Sequence, residues 1–439
     1  MTRPGLGQYR DCLDQADPLV QMGRITQVVG LVAEAQGLIL PVGAGVFIHM
    51  EGVQPVLGEV VGFKGDRMLI MPYAETRGLQ PGCLVSPAGN ESQVKVGPAL
   101  LGRAIDGLGR ACDGGPEIAY QTLYPLHNSP PPAMTRKRIT EPVDVGVRVM
   151  NAVLTLGKGQ RIGVFAGSGV GKSTLMGMMA RHTAADVSVI ALVGERGREV
   201  RDFIERDLGP EGLKRSVVVV ATSDQPALVR IRAAYLATAV AEYFRDHGAD
   251  VVLMMDSVTR FALAAREVGL SIGEPPTTKG YTPSVFAQLP RLLERAGTTG
   301  DTGSITGIYT VLVEGDDVTE PVSDAMRSIL DGHVVLTRRL ADQGHYPAIE
   351  VLGSVSRLVT DLNPPEVIKS IRELTELLAA YRRAEDLINI GAYAEGTNPR
   401  IDRAMRMMDR IKGFLTQEMD VGVDLASSRS QLMALMSQR

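Results

Sequence analysis

The chain has 439 residues, 44% of them hydrophobic and 22% charged, with a formal net charge of −4. At about 150 residues per domain this predicts roughly three globular domains and excludes a disordered chain. The mild acidity leaves no global basic footprint for duplex nucleic acid, and no apolar run approaches the ~18 residues of a membrane span. Cys12, Cys83 and Cys112 are scattered and odd in number, which fits a reducing cytosol better than a disulfide scaffold or zinc site. Asp11, Asp14 and Asp17 with no apolar stretch between them argue against a secretory signal.

In chain order, residues 1–22 read as a polar arm. From Gly23 to Val96 short β-like runs alternate with Gly and Pro: Arg24–Val29, Leu38–Val42, Val46–Met50, Val56–Val61, Met68–Met71 and Cys83–Ser86. Turns every ~8–12 residues predict a small β-barrel or sandwich over 23–96. Residues 97–140 are rich in Gly and Pro and read as a connector draped over the next domain. That domain is expected over 97–363. Apolar runs of parallel-strand type (Arg161–Ala166, Val187–Val193, Ser216–Ala221, Asp250–Met255, Ser304–Leu312, His333–Thr337) alternate there with helical stretches (Ser173–His182, Gly197–Leu208, Leu228–His247, Arg260–Val268). This alternation predicts an α/β fold, a parallel sheet with helices on both faces. From Pro364 the β texture ends, and Val367–Ala384 and Asn398–Gln417 predict a C-terminal helical domain over 364–439.

The strongest motif is Ala166-Gly167-Ser168-Gly169-Val170-Gly171-Lys172-Ser173-Thr174, which follows an apolar strand and opens a helix. Glycines let backbone N–H groups converge on phosphate oxygens, and the helix start adds partial positive charge. Lys172 brings a full charge to the β/γ-phosphates, and Ser173 offers a hydroxyl to Mg²⁺. Ala166 stands where the usual pattern has its first glycine. A second strand ends on Asp256, which alone serves equally as a helix cap; paired with the loop it reads as a Mg²⁺–water ligand. A third ends at Gly194-Glu195-Arg196, about one helix and one crossover strand beyond Lys172. Glu195 there can polarise a water for attack on the γ-phosphate, and Arg196 can offset phosphate charge. Glu199 and Glu205 are expected on the solvated face of the next helix, and Arg136-Lys137-Arg138 in a solvated linker.

These strand ends, in this order, resemble the catalytic ATPase of the flagellar protein-export apparatus, and more broadly the type III secretion ATPases and rotary ATPase catalytic subunits. The specific stretches are Gly159–Arg181, Gly194–Ile204, Met255–Arg266, Gly273–Gly297 and Gly344–Arg357. The resemblance implies a RecA-like P-loop core, ATP and Mg²⁺ as cofactors, and Glu195 as the catalytic glutamate with Arg196 a γ-phosphate contact. It also implies Tyr346 as the aromatic packing on adenine, Tyr393 as a second adenine wall, and Arg357 as an arginine finger reaching a neighbour's nucleotide. The homohexamer of the secretion branch is implied too. So are a stator-like regulator at the N-terminal arm, export-gate membrane proteins, substrate–chaperone complexes, and a cytoplasmic position peripheral to the inner membrane. Asn389–Pro399 looks more flagellar than injectisome-like. An injectisome ATPase, a rotary subunit and a nucleotide-binding scaffold stay open as alternatives. A ring helicase would need stacking aromatics and basic residues in the β domain, where only Phe47, Phe63 and Tyr73 are aromatic.

Overall fold

Inward apolar and outward polar residues alternate along the first strands and close them into a barrel. The computed structural model describes residues 21–89, 92–300, 303–313 and 320–437, so the expected arm over 1–22 lies almost wholly outside the described residues. The barrel strands are β1 (Gly23–Val29), β2 (Val32–Gln36), β3 (Gly45–His49), β4 (Val56–Lys64), β5 (Arg67–Pro72) and β6 (Leu84–Pro87). They close in the order β1-β2-β5-β4-β3-β6 around Ile25, Ala35, Ile48, Val60 and Ile70.

One expected strand is displaced. Leu38–Val42 is not a strand; β2 precedes it at Val32–Gln36. Ala33 and Ala35 have weak β propensity, yet their small side chains fill the barrel interior. Glu34 is buried on β2 and is held by Arg67 (2.8 Å) and Lys64 (3.3 Å). The more β-like Leu38–Val42 pairs with no strand: Leu38 packs in the barrel core while Ile39 and Val42 are 77% and 62% exposed.

The chain from Gln93 onward, apart from Ser271–Gly273, forms a second compact unit. Its sheet strands are β7 (Arg103–Asp106), β8 (Arg161–Ala166), β9 (Val187–Val193), β10 (Ser216–Ala221), β11 (Asp250–Asp256), β12 (Ser304–Leu312), β13 (Gly332–Leu336) and β14 (Val355–Ser356). Their order is β14-β13-β8-β12-β11-β9-β10-β7, parallel except for the antiparallel edge strand β14. Parallel strands buried on both faces need unbroken apolar runs, and Val187–Val193 is buried throughout. The connector is not merely draped over this sheet. Its residues Arg103–Asp106 are the edge strand β7, paired with Val217–Val220.

The helices of this unit that matter below are α1 (Lys172–His182), α2 (Gly197–Asp202), α3 (Ala227–Asp246), α4 (Val258–Ser271), α5 (Pro283–Leu293), α6 (Pro321–Ile329), α7 (Arg338–Asp342), α8 (Pro365–Asn389), α9 (Pro399–Leu415) and α10 (Leu425–Ser437). A π-helical turn, Phe203–Leu208, continues α2. The helical tail shares one hydrophobic core with the sheet: Leu374, Ile411 and Leu432 pack in the same cluster as Met179 and Val164. The sequence did not show α10, whose Ser-rich face hides its period.

Two polar anchors fix the connector. Arg295 and Glu242, 1% and 0% exposed, form a bidentate pair at 2.9 and 2.7 Å, and Arg295 also donates to the Leu126 carbonyl at 2.7 Å. Arg136 is not a solvated linker residue. It donates to the carbonyls of Glu294 (2.6 Å) and Ala296 (3.3 Å), while Arg138 pairs with Asp361.

Candidate active site

The strand ends converge at the carboxyl edge of the sheet, where open α/β sheets bind ligands. β8 ends at Ala166, level with Leu312 of β12 and Leu336 of β13. Gly167–Gly171 then turns into α1, with Gly171 at φ 91° as the residue before the helix. A side chain there would be strained, and a Cβ would also meet the Tyr346 ring at 3.4 Å. Val170 is buried under the loop, whereas Ser168, Gly169 and Ser173 are exposed and Thr174 is half-buried.

Lys172, the first residue of α1, reaches over the end of β12. Its Nζ donates to Asp256 Oδ1 at 2.5 Å and lies 3.6 Å from Glu195 Oε1. Asp256 is the last residue of β11 and pairs in register with Leu192 of β9, three residues before Glu195. So one ammonium sits between two carboxylates delivered by neighbouring strands. Thr310 of β12, the strand between β8 and β11, donates its hydroxyl to Asp256 Oδ1 at 2.7 Å.

The electrostatics follow from burial. Asp256 is 3% exposed. Burial opposes the charge on Lys172, but Asp256 and Glu195 outweigh it and hold the ammonium above its ordinary pKa. Burial raises the Glu195 carboxyl; against the pull of Lys172, the nearby Asp256 charge and a hydrogen bond with Glu199 push it up to about 7. Glu195 Oε1 is buried and has no hydrogen-bond partner among the described residues. A carboxylate titrating near neutrality, with an unsatisfied oxygen beside a phosphate loop, is equipped to hold a water and its proton.

Mg²⁺ fits these residues. Among the described residues no cluster of three or more His, Cys, Asp or Glu could cage a metal. Magnesium instead takes one or two protein oxygens, phosphates and water, and Ser173 and Asp256 are such a pair.

The other expected residues fall in three places. The Tyr346 ring packs on Gly171 and stays 45% exposed, leaving a face for a ligand. Arg196 is 81% exposed at the start of α2, with Glu199 as its ion-pair partner at 3.4 Å. Glu199 is therefore not only a solvated-face residue: it bonds the Arg196 backbone N–H and reaches Glu195. Arg357 lies at the opposite edge of the sheet. Its N–H bonds the Asp331 carbonyl, just before β13, at 3.1 Å. The five residues of β13 separate that level from the phosphate loop, roughly 17 Å at 3.3 Å per residue. Tyr393 is not an adenine wall beside Tyr346. Its hydroxyl bonds Asp402 (2.9 Å) at the start of α9, whereas the Tyr346 carbonyl bonds Gln417 beyond the end of α9. Most of α9, about 20 Å of helix from Asp402 to its end, lies between them.

Arg260 was given no role by its sequence. It stands four residues after Asp256 on the first turn of α4, and Gly194 presses on its stem so closely that a Cβ would lie 2.8 Å from Arg260 Cβ. Its Nε is buried without a hydrogen-bond partner among the described residues. An arginine one turn past a strand-end aspartate was the available signal.

A phosphate loop, a strand-end aspartate and a strand-end glutamate on one parallel sheet define a P-loop nucleotide-binding protein. Comparison with known proteins narrows the class. Residues 146–356 match the nucleotide-binding domain of the ATP synthase alpha/beta family, and residues 25–89 match its beta-barrel domain. Residues 363–434 match the T3SS EscN ATPase C-terminal domain. The "Flagellum-specific ATP synthase" of Bacillus subtilis (strain 168) is 52% identical over 97% of both chains. The "Type 3 secretion system ATPase" of Xanthomonas euvesicatoria is 49% identical over 91% of this chain and 90% of its own. The assembled ATPase EscN from the enteropathogenic E. coli type III secretion system superposes with a TM-score of 0.90 at 44% identity, covering 94% of this chain and 100% of its own. EscN in complex with its central stalk EscO gives a TM-score of 0.87. The chain belongs to the flagellum-specific and type III secretion ATPase branch of the ATP synthase alpha/beta family.

Proposed function

We propose that the chain hydrolyses ATP in a homohexameric ring and that this energises export of flagellar proteins through a type III secretion apparatus. The observation that carries the reading is Lys172 held between Asp256 and Glu195 at one edge of the sheet while Arg357 stands exposed at the other. An arginine about 17 Å along the sheet from its own loop is out of reach of its own nucleotide, which supports a role toward a neighbour's in a ring.

The loop Gly167–Thr174 binds the phosphates, with Lys172 on the β/γ oxygens, and Tyr346 offers its free face to adenine. When bound with ATP, Mg²⁺ would be held by Ser173 and Asp256 and would neutralise charge on the transferred phosphoryl. Glu195 orients the attacking water. Arg196 contacts the γ-phosphate, and a neighbour's Arg357 stabilises the transition state. Lys172 exchanges a carboxylate partner for phosphate when nucleotide enters.

The flagellar assignment draws on the 52% identical flagellar relative and on Asn389–Pro399, which spans the end of α8, the following turn and the start of α9. An injectisome role is the second reading, supported by the EscN likeness. By analogy with EscN and its stalk, a central-stalk protein is the expected ring partner. A stator-like regulator, export-gate proteins and substrate–chaperone complexes are further partners of a cytoplasmic ring at the inner membrane.

The test is ATP turnover per chain as a function of protein concentration, with Arg357→Ala alongside. Activity per chain that climbs for the wild type and stays flat for the variant supports homomeric sites. Activity that appears only when a second, related subunit is added refutes them in favour of a rotary subunit.

A further inference from the structure

The phosphate loop is gripped from outside by a residue that no motif marks. Ala166 pairs with Leu336, so two residues further on Ser168 and Arg338 lie level. Arg338 Nη2 donates to the Ser168 carbonyl at 2.8 Å. Arg338 opens α7, and its neighbour Arg339 is anchored to Glu350 at 2.9 Å, which also takes Arg382 of α8 at 3.4 Å. The segment 338–346 thus touches the loop twice: Arg338 at Ser168, and the Tyr346 ring at Gly171.

We propose that Arg338 is a positioning residue for the phosphate loop, holding the Ser168 carbonyl outward so that the next amide stays turned toward phosphate. In a planar trans peptide the C=O and the following N–H point in opposite directions. Fixing the Ser168 oxygen on Arg338 therefore fixes the Gly169 N–H on the other side. The restraint matters at this peptide because Gly169 sits at φ 77° with nothing within 4 Å of a would-be Cβ. A glycine without neighbours flips its peptide easily. Once flipped, the unit would offer phosphate an oxygen instead of a donor. Ser168 and Gly169 are exposed, so the described residues provide no packing to replace the guanidinium. Arg338 is itself exposed, and its loss leaves the core intact.

The inference rests on the reading of Gly167–Thr174 as the nucleotide site. The experiment uses the full-length protein and its Arg338→Ala, Arg338→Lys and Lys172→Ala variants. Calorimetric binding of MgADP is compared with steady-state turnover of MgATP. Arg338→Ala is expected to weaken MgADP binding and raise KM by about five- to tenfold, the net worth of one ordinary, solvent-exposed hydrogen bond, with kcat within about twofold. Arg338→Lys, which keeps one donor at similar reach, is expected to recover most of the affinity at an unchanged melting temperature. Unchanged binding in Arg338→Ala overturns the proposal, as does a fall in kcat at constant KM, which would place Arg338 on the transition state. Failure of lysine to restore affinity also counts against it. Lys172→Ala separates the two claims. If it too binds normally, the nucleotide-site reading fails; if it loses binding while Arg338→Ala does not, only the positioning role fails.

Discussion

Replacing Lys172 with alanine removes one charge but two interactions with different pH dependence. The first is with Asp256, 3% exposed and 2.5 Å away. Breaking a buried pair from one side costs about 3–5 kcal/mol, and the lower end applies because Thr310 still donates to Asp256. The second is with Glu195 at 3.6 Å. Burial raises the Glu195 pKa from 4.5 to about 7, so its proton uptake favours the folded state fully below pH 4.5, and that stabilisation fades as pH rises through about 7. Lys172 pulls this value down; without it the carboxyl titrates higher still. Below pH 7 Glu195 is protonated in both proteins and the lysine loses nothing there. Above pH 7 the variant falls behind by up to about 1.4 kcal/mol per pH unit until its own higher pKa is reached. At about 2 °C per kcal/mol for a chain of this size, thermal unfolding of nucleotide-free protein should show a deficit of about 6 °C at pH 6. It should grow to about 8–10 °C at pH 8.5. An equal deficit at both pH values would show that Lys172 does not feel Glu195, and the shared-cation site would be wrong.

Three further outcomes follow from the same geometry. The pH profile of kcat/KM should carry an acidic limb near 7 set by Glu195, and Glu195→Gln should keep nucleotide binding while turnover falls about 10²- to 10⁴-fold; a limb below pH 5 would contradict the buried carboxyl. Tyr346→Ala should weaken ATP binding by about two- to tenfold, whereas Tyr346→Phe should not, since stacking needs the ring and not the hydroxyl; equal losses would remove the stacking role. Glu242→Ala leaves Arg295 buried and unpaired and should lower stability by about 3–5 kcal/mol in denaturant unfolding, while a change below about 1 kcal/mol would mean the guanidinium finds water.

Much of this was legible because parallel strands buried on both faces leave unbroken apolar runs, and their last residues mark the ligand edge. Arg161–Ala166, Val187–Val193 and Asp250–Asp256 end on the loop, on the turn to Glu195 and on Asp256 for that reason. Elsewhere local preference pointed away from the outcome. Val32–Gln36 is a strand because alanines fit a narrow barrel, not because they favour β structure. Arg103–Asp106 joins the sheet by pairing with Val217–Val220, more than a hundred residues on. Arg338 meets Ser168 across 170 positions through strand register, which periodicity along the chain cannot show. Tyr393 carried its role by resemblance alone, and most of the length of α9 separates it from Tyr346.

The central claim is that each catalytic site takes its phosphate loop from one copy and its arginine from the next. Lys172→Ala and Arg357→Ala should each be inactive alone. In an equal mixture that is unfolded to subunits and reassembled, a Lys172→Ala neighbour supplies Arg357 to the intact loop of an Arg357→Ala copy. Random assembly then rebuilds about a quarter of the sites, and ATP turnover should return in proportion. A mixture that assembles fully and stays inactive would place both residues in the same chain's site and contradict the account.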